Sequence, residues 1–323
     1  MGRKRLVVVL LVLLVPAALA LAGTALAGNA GFGPEAPRSP NAHSITKAYW
    51  FIFAFTATIF VLVEGALVLF LFRYRSRGRP RTVEGDQVHG HHRLELIWTV
   101  VPVLILVAIA TFVFTQLPGI SNVPAAANRI DVQVIGHQYY WQFRYPGGQT
   151  SIGAMHVPAG RVVYLSIDSP DVNHSWWIPQ LGGKTDAIPG RTNHTWLQAE
   201  PGNYRGQCAE LCGLYHARML AKVIATDDAG YQQFLAQAPK NLGHNEFTGV
   251  CTQCHGIGGT GGYGPPLKGN PLVEQPSAIE NIVRNGRTGP QGTMPAVGKG
   301  WTDKEMDALT AYLKKNLGSP SGG

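Results

Sequence analysis

The stretch 208–219, CAELCGLYHARM, places two thiols, an imidazole and a thioether within twelve residues. Cys208 and Cys212 stand four apart, His216 follows Cys212 by four, and Met219 follows by three more. A disulfide-pinned loop, a redox switch and a metal site all fit such a spacing. A four-residue loop can close a disulfide, but the imidazole and thioether would then have no role. Thiolate, thioether and imidazole donors together favour copper. Zinc usually takes a second close cysteine pair or more histidines. Two cysteines suggest two metals bridged by two sulfurs, and such a centre needs a second histidine from elsewhere. His174, in DVNHSWWIP 34 residues upstream of Cys208, is the best donor. His137, His156 and His194 lack such context.

The flanking chain sets the fold around this loop. From Arg129 to about Ala225 run the short β-type segments IDVQVIG, QYYWQFRY, RVVYLSID, HTWLQA and MLAKVIA, punctuated by Gly, Pro, Asn and Asp. No long amphipathic helix intervenes. The pattern predicts an antiparallel sandwich or barrel over residues 128–228. A late Cys/His/Met loop on such a sandwich is how blue-copper carriers build their sites, which makes this domain cupredoxin-like.

Upstream the chain changes character. Charged residues make up 14% of the whole, against roughly 25% for soluble domains. Residues 49–72 and 97–117 are apolar runs long enough to span a bilayer as helices. The loop between them, RYRSRGRPRTVEGDQVHGHHR, carries six Arg and marks the cytoplasmic side. Residues 1–27, with Arg3, Lys4 and Arg5 before an apolar run ending Ala25-Leu26-Ala27, read as a cleaved secretory signal. Residues 28–48 then form an exported segment, and the chain from 118 onward lies outside, beginning with a linker, PGISNVPAAANR. Of the net charge of +8, six units reside in the membrane-proximal residues 1–96, while residues 128–228 carry eight charges of each sign and Lys240 and residues 243–323 add one unit each. No soluble segment offers the basic patch that a nucleic acid would need.

A linker over 229–242 leads to a Gly-rich region, 243–317, and a tail, 318–323. The region ends in a helix, TDKEMDALTAYLKKN, with Thr302 and Glu305 as a capping box. So short and glycine-rich a segment needs a staple. CTQCH, 251–255, is the attachment signature of a c-type haem: Cys251 and Cys254 for the thioether bonds, His255 as the axial ligand. GPPL, 264–267, falls where a proximal-side loop belongs. Met294, in GTMPAV, is the candidate sixth ligand, and His/Met ligation raises the iron potential. Met306, in the terminal helix, reads as packing. A Cys251–Cys254 disulfide would suit an oxidising compartment, but it leaves Met294 and the missing core unexplained. Residues 243–317 resemble a class I cytochrome c, which implies an all-α domain of three helices around one haem.

DVNHSWWIPQLGGKTDAIPGR followed by CAELCGLYHARM, behind a two-span hairpin, resembles subunit II of the haem-copper cytochrome c oxidases over about residues 40–228. The resemblance implies a membrane-anchored, multidomain chain with a Greek-key sandwich holding a binuclear CuA centre. Its ligands would be His174, Cys208, Glu210 through its backbone carbonyl, Cys212, His216 and Met219. It also implies a magnesium ion on the Glu210 side chain at the boundary with subunit I. Glu95 would stand at the mouth of a proton path; the plainer reading is an interfacial acid paired with Arg93. At Tyr139 the family usually has the Trp that receives electrons from soluble cytochrome c, so Tyr139 or Trp141 is the candidate receiving residue. Glu64, mid-span, is an ionisable group of the kind that faces protein and has no assigned role.

Implied partners are subunits I and III, with a cytochrome c or a quinol-cytochrome c reductase complex as upstream donor. The implied location is the bacterial inner membrane, with the copper and haem domains on its outer face. The implied function is a relay from haem c through CuA to subunit I, where oxygen is reduced with proton translocation; no catalytic residue is expected in this chain. A subunit serving another terminal reductase, such as one for nitric oxide, would carry the same features. Quinol oxidase subunit II shares the architecture but lacks the cysteines.

Overall fold

The computed structural model describes residues 33–75, 87, 89–290 and 292–318. The signal-type opening, most of the Arg-rich loop and most of the tail lie outside the described residues. The chain forms two compact units, one containing His43–Ile120 and the other containing Ala36–Ala42 and the chain from Ser121 onward.

In the first unit, α1 (Pro40–Arg73) and α2 (His92–Ser121) are long enough and apolar enough to cross a membrane. At 1.5 Å per residue they measure about 51 and 45 Å. Phe51 of α1 stacks on Phe112 of α2 at 4.0 Å. Both helices overrun their apolar stretches. α1 begins nine residues early, where Pro40 supplies the first helical residue and Asn41 Oδ1 accepts the Ala42 N–H at 2.9 Å. α2 continues through Pro118 into the stretch expected to be a linker, a break that membrane helices tolerate. Glu95 folds back on its own helix start, accepting the His91 N–H at 2.9 Å and pairing with His92 at 3.6 Å. Its partner is therefore His92, not Arg93. Glu64 is exposed on α1.

The second unit contains a sandwich of two five-stranded sheets. Its strands are β1 (Ile130–His137), β2 (Tyr140–Arg144), β3 (Thr150–Ile152), β4 (Ala154–Pro158), β5 (Val163–Asp168), β6 (His174–Trp177), β7 (Thr185–Ala187), β8 (Asn193–Leu197), β9 (Gly202–Cys208) and β10 (Leu220–Thr226). One sheet runs β3-β2-β1-β5-β8 and the other β4-β10-β9-β6-β7. An all-antiparallel arrangement was the expectation; β1–β5 and β4–β10 are instead parallel. The chain switches sheets at β4 and returns at β5, so β5 arrives beside β1 in the same direction. β5 shows the half-buried alternation cleanly, with Val163, Leu165 and Ile167 inward. They join Val134, Phe143, Met155, Trp176 and Val223 in one core.

The segment 229–242, expected to be a linker, is mostly helix. α3 (Asp228–Gln237) is capped by Asp227, whose side chain accepts the Gly230 N–H at 2.9 Å. Phe234 packs on Tyr145 at 5.2 Å and stacks on His156 at 4.1 Å, which fixes α3 to the sandwich. Only the short turn Ala238–Asn241 separates it from the next domain.

That domain opens with α4 (Leu242–Glu246), which continues through a π-helical turn, Phe247–Cys251, into α5 (Thr252–His255). α6 (Pro276–Asn285), a hairpin of β11 (Arg287–Gly289) and β12 (Gly292–Met294), and α7 (Asp303–Leu317) complete it. Its core is small: Phe247, Val250, Ile279, Val283, Trp301, Leu309 and Leu313, with Met306 packed among them as expected. The capping box forms as predicted, with the Thr302 N–H reaching Glu305 Oε2 at 2.7 Å. Glu246 is fully buried, neither carboxyl oxygen has a hydrogen-bond partner, and burial and the Glu305 charge push its pKa up to about 9.

This domain sits on the β2–β3 edge of the sandwich. Tyr140 Oη donates to the Val297 carbonyl at 2.5 Å and accepts from Trp301 Nε1 at 2.7 Å. Glu305 accepts from Gln142 at 2.5 Å, Arg144 at 3.1 Å and Thr150 at 3.3 Å. Gly249 leaves no room for a side chain, since a Cβ there would lie 2.5 Å from Ile152 Cγ2.

Candidate metal centres

The sheet brings the first set of donors together. β6 and β9 are neighbours, with Trp176 opposite Cys208, so His174 at the start of β6 lies beside the end of β9. The loop from Cys208 to Met219 is closed by the Cys208 N–H donating to the Met219 carbonyl at 2.9 Å. Gln138 Nε2 pins it in the middle by donating to the Cys212 carbonyl at 2.6 Å.

Both thiols are free, with their sulfurs 4.0 Å apart. Cys208 Sγ lies 3.9 Å from His174 Nδ1 and 3.2 Å from the Glu210 carbonyl oxygen. Cys212 Sγ lies 3.5 Å from His216 Nδ1 and 3.8 Å from Met219 Sδ. All six expected ligands therefore converge, and His174, Cys208, Cys212 and Met219 are buried. The Glu210 side chain is exposed.

One member of the site was not legible in the sequence as a functional residue. Asp171 Oδ1 pairs with His174 Nε2 at 2.9 Å, turning Nδ1 toward the sulfurs. The only signal was its place three residues before His174. Burial opposes ionisation of Asp171, but hydrogen bonds from His174, the Val172 N–H and the Gln138 N–H outweigh it and hold its pKa at about 2. Burial also opposes the Cys208 thiolate, yet hydrogen bonding from His174 and the Glu210 and Ser175 backbone brings it down to about 7. Burial and the neighbouring Cys208 charge push Cys212 up to about 12. The soft donors and the two free thiols fit copper. Asp171→Asn is expected to weaken copper binding about 10- to 100-fold, read by competition with a chelator, while the sandwich stays folded.

The second set lies on one helical turn. Cys251 and His255 are buried and Cys254 half-buried, with both thiols free. The His255 Nδ1–H donates to the Pro265 carbonyl at 2.7 Å, which leaves Nε2 as the ligand atom. Gly264 forms a flat cradle, since a Cβ there would stand 2.7 Å from His255 Cε1. Met294, half-buried at the end of β12, packs against the domain core. This set fits a covalently attached haem.

The two candidate receiving aromatics part company. Trp141 is fully buried, 6.0 Å from His174 and 5.2 Å from Trp176 ring to ring, so it backs the site from the core and is no surface aromatic. Tyr139 is half-buried with its ring edge-on to Tyr215 at 5.3 Å. His137, buried and held near pKa 4 by burial, pairs with Gln142, and His156 and His194 stack on Phe234 and Tyr164. None of the three is among the converging ligands.

Residues 27–116 match the family model described as cytochrome c oxidase subunit II, transmembrane domain, and residues 149–226 match its periplasmic domain. Residues 238–313 match the model for cytochrome c oxidase, cbb3-type, subunit III. Cytochrome c oxidase subunit 2 of Alkalihalophilus pseudofirmus is 33% identical over 301 residues, covering 83% of this chain and 87% of that one. The chain belongs to the cytochrome c oxidase subunit II family. It is a subunit II with a C-terminal cytochrome c domain. Subunit 2 of Cereibacter sphaeroides is 31% identical over 260 residues, covering 68% of this chain and 84% of its own. The periplasmic domain of subunit II from Bradyrhizobium japonicum is 32% identical and overlaps 37% of this chain and 98% of its own, with a TM-score of 0.35. Membership implies copper and haem binding, a subunit I partner in a haem-copper oxidase complex, and a membrane-anchored chain whose sandwich faces outward.

Proposed function

We propose that this subunit II is the electron-receiving arm of a proton-translocating cytochrome c oxidase, relaying electrons from its own haem c through a binuclear CuA centre to subunit I. The observation that carries this reading is the convergence of two free thiols, two imidazoles and a thioether, in the same compact unit as a CTQCH turn whose histidine is already oriented. His174, Cys208, the Glu210 carbonyl, Cys212, His216 and Met219 hold the copper pair; Cys251, Cys254, His255 and Met294 hold the haem. When bound, the two groups supply reversible one-electron transfer. The chain supplies rigidity: Asp171 orients His174, Gln138 pins the loop at Cys212, and Pro265 orients His255.

The exposed Glu210 side chain is the proposed magnesium ligand at subunit I, and Glu95 the proposed mouth of a proton path. Subunit III and a cytochrome c or quinol-cytochrome c reductase complex are the further proposed partners. The proposed location is the bacterial inner membrane, with both metal-bearing domains on its outer face. Optical and EPR spectra of the purified complex, with copper and iron counted, should show two coppers and one haem c on this chain. A complex whose chain ends at about residue 240 should still load copper but need added cytochrome c to turn over. Full turnover without it would refute the relay.

A further inference from the structure

The two cofactor loops meet at Arg218. This residue stands in the copper loop between His216 and Met219, at the end of the 3-10 turn His216–Arg218. Its guanidinium crosses to the cytochrome domain, where Nη2 donates to Tyr263 Oη at 3.1 Å. It also lies over two rings, 5.6 Å from the centroid of Tyr215 and 4.9 Å from that of Tyr263. Those rings are themselves 5.9 Å apart, so Arg218 is gripped by one tyrosine from each domain. Tyr263 is followed by Gly264 and Pro265, the two residues that cradle and orient His255.

The docking contacts at Tyr140, Trp301 and Glu305 hold the domain on the β2–β3 edge and do not touch the copper loop. Arg218 and Tyr263 make a separate contact. A cation over an aromatic face gains directional attraction beyond charge pairing, and a guanidinium presents a planar, preorganised donor that an ammonium cannot match.

We infer that Arg218 and Tyr263 form a latch that fixes the loop following the haem-attachment turn, 256–265, on the copper loop, so that donor and acceptor keep one separation instead of finding it by diffusion. Arg218 and Tyr263 are positioning residues. The latch rests on the relay reading only for its consequence in electron transfer; the mechanical claim stands without it.

The test uses the full-length chain in the loaded complex. Arg218→Ala and Tyr263→Ala should each raise amide hydrogen exchange in 256–265 by about tenfold, the equivalent of losing one cation–π contact with its hydrogen bond. Exchange in 276–317 should not change. Haem-to-copper transfer after a photoreduction flash should slow and become heterogeneous, with the optical and EPR signatures of both centres unaltered. Tyr263→Phe, which keeps the ring, should restore most of the protection, and Arg218→Lys should not. Because Arg218 neighbours two ligands, Tyr263→Ala decides the matter if Arg218→Ala loses copper. Unchanged exchange in Tyr263→Ala overturns the latch; faster exchange with unchanged transfer overturns its part in the relay. A wild-type complex without copper or haem overturns the relay reading and leaves the latch to stand on exchange alone.

Discussion

Replacing Cys212 with serine is expected to abolish the purple and near-infrared absorption of the copper centre and drive copper per chain toward zero, leaving the haem bands intact. Cys212 is the hub of the loop: its sulfur is within 4.0 Å of Cys208, 3.5 Å of His216 and 3.8 Å of Met219. A serine hydroxyl is hard and stays protonated, so it replaces neither the bridging sulfur nor its charge. The loop itself should keep its path, because Gln138 holds the residue by its backbone carbonyl and not by its side chain. The haem donors belong to another domain with its own core. Metal analysis and optical spectra of the purified complex check this, and unchanged copper content in the serine variant would contradict the ligand assignment.

Glu305→Ala is expected to have the largest effect on stability. The side chain is 2% exposed, starts α7 by the capping box and accepts from Gln142, Arg144 and Thr150 of the sandwich. Removing it deletes a helix cap and leaves the Arg144 guanidinium, whose side chain is 27% exposed, with the Gly300 carbonyl at 3.0 Å but no counter-charge. Loss of the cap costs about 1 kcal/mol, and loss of the charge-assisted bonds about 1.5–3 kcal/mol more. The cytochrome domain should therefore come off the sandwich and unfold earlier than it, which calorimetry would record as a split transition. Glu305→Gln, which keeps an acceptor and the side chain's volume, should lose less. A single transition at the wild-type temperature in the alanine variant would show that the clamp contributes nothing.

The copper loop was legible because four of its side-chain ligands fall within twelve residues, where chemistry can be read without a fold. His174 became legible only through that loop, and Asp171 stayed hidden because an Asp before a histidine reads as an ordinary turn residue. β9, GNYRGQC, escaped because only Tyr204 and Cys208 point inward and the rest is polar. The parallel pairings are set by a sheet crossover, which leaves no mark on local periodicity. The helix over Asp228–Gln237 did carry a signal, Asp227 as its cap and Tyr231 and Phe234 three apart, but proline and glycine nearby suggested a linker. The clamp at Glu305 depends on a face of one domain meeting another, and neither segment declares that alone.

The cementing of α3 to the sandwich by Phe234 leaves Ala238–Asn241 as the whole hinge. Residues inserted before it would lengthen nothing, since they would extend a rod already glued down. Residues inserted within it would leave the contacts at Tyr140 and Glu305 in place but lengthen the leash on which the donor returns whenever they open, and its local concentration in that open state falls roughly as the −3/2 power of leash length. Fusion in this molecule thus amounts to permanent residence more than to proximity, and a turn of four residues sets how far the donor strays when its contacts open.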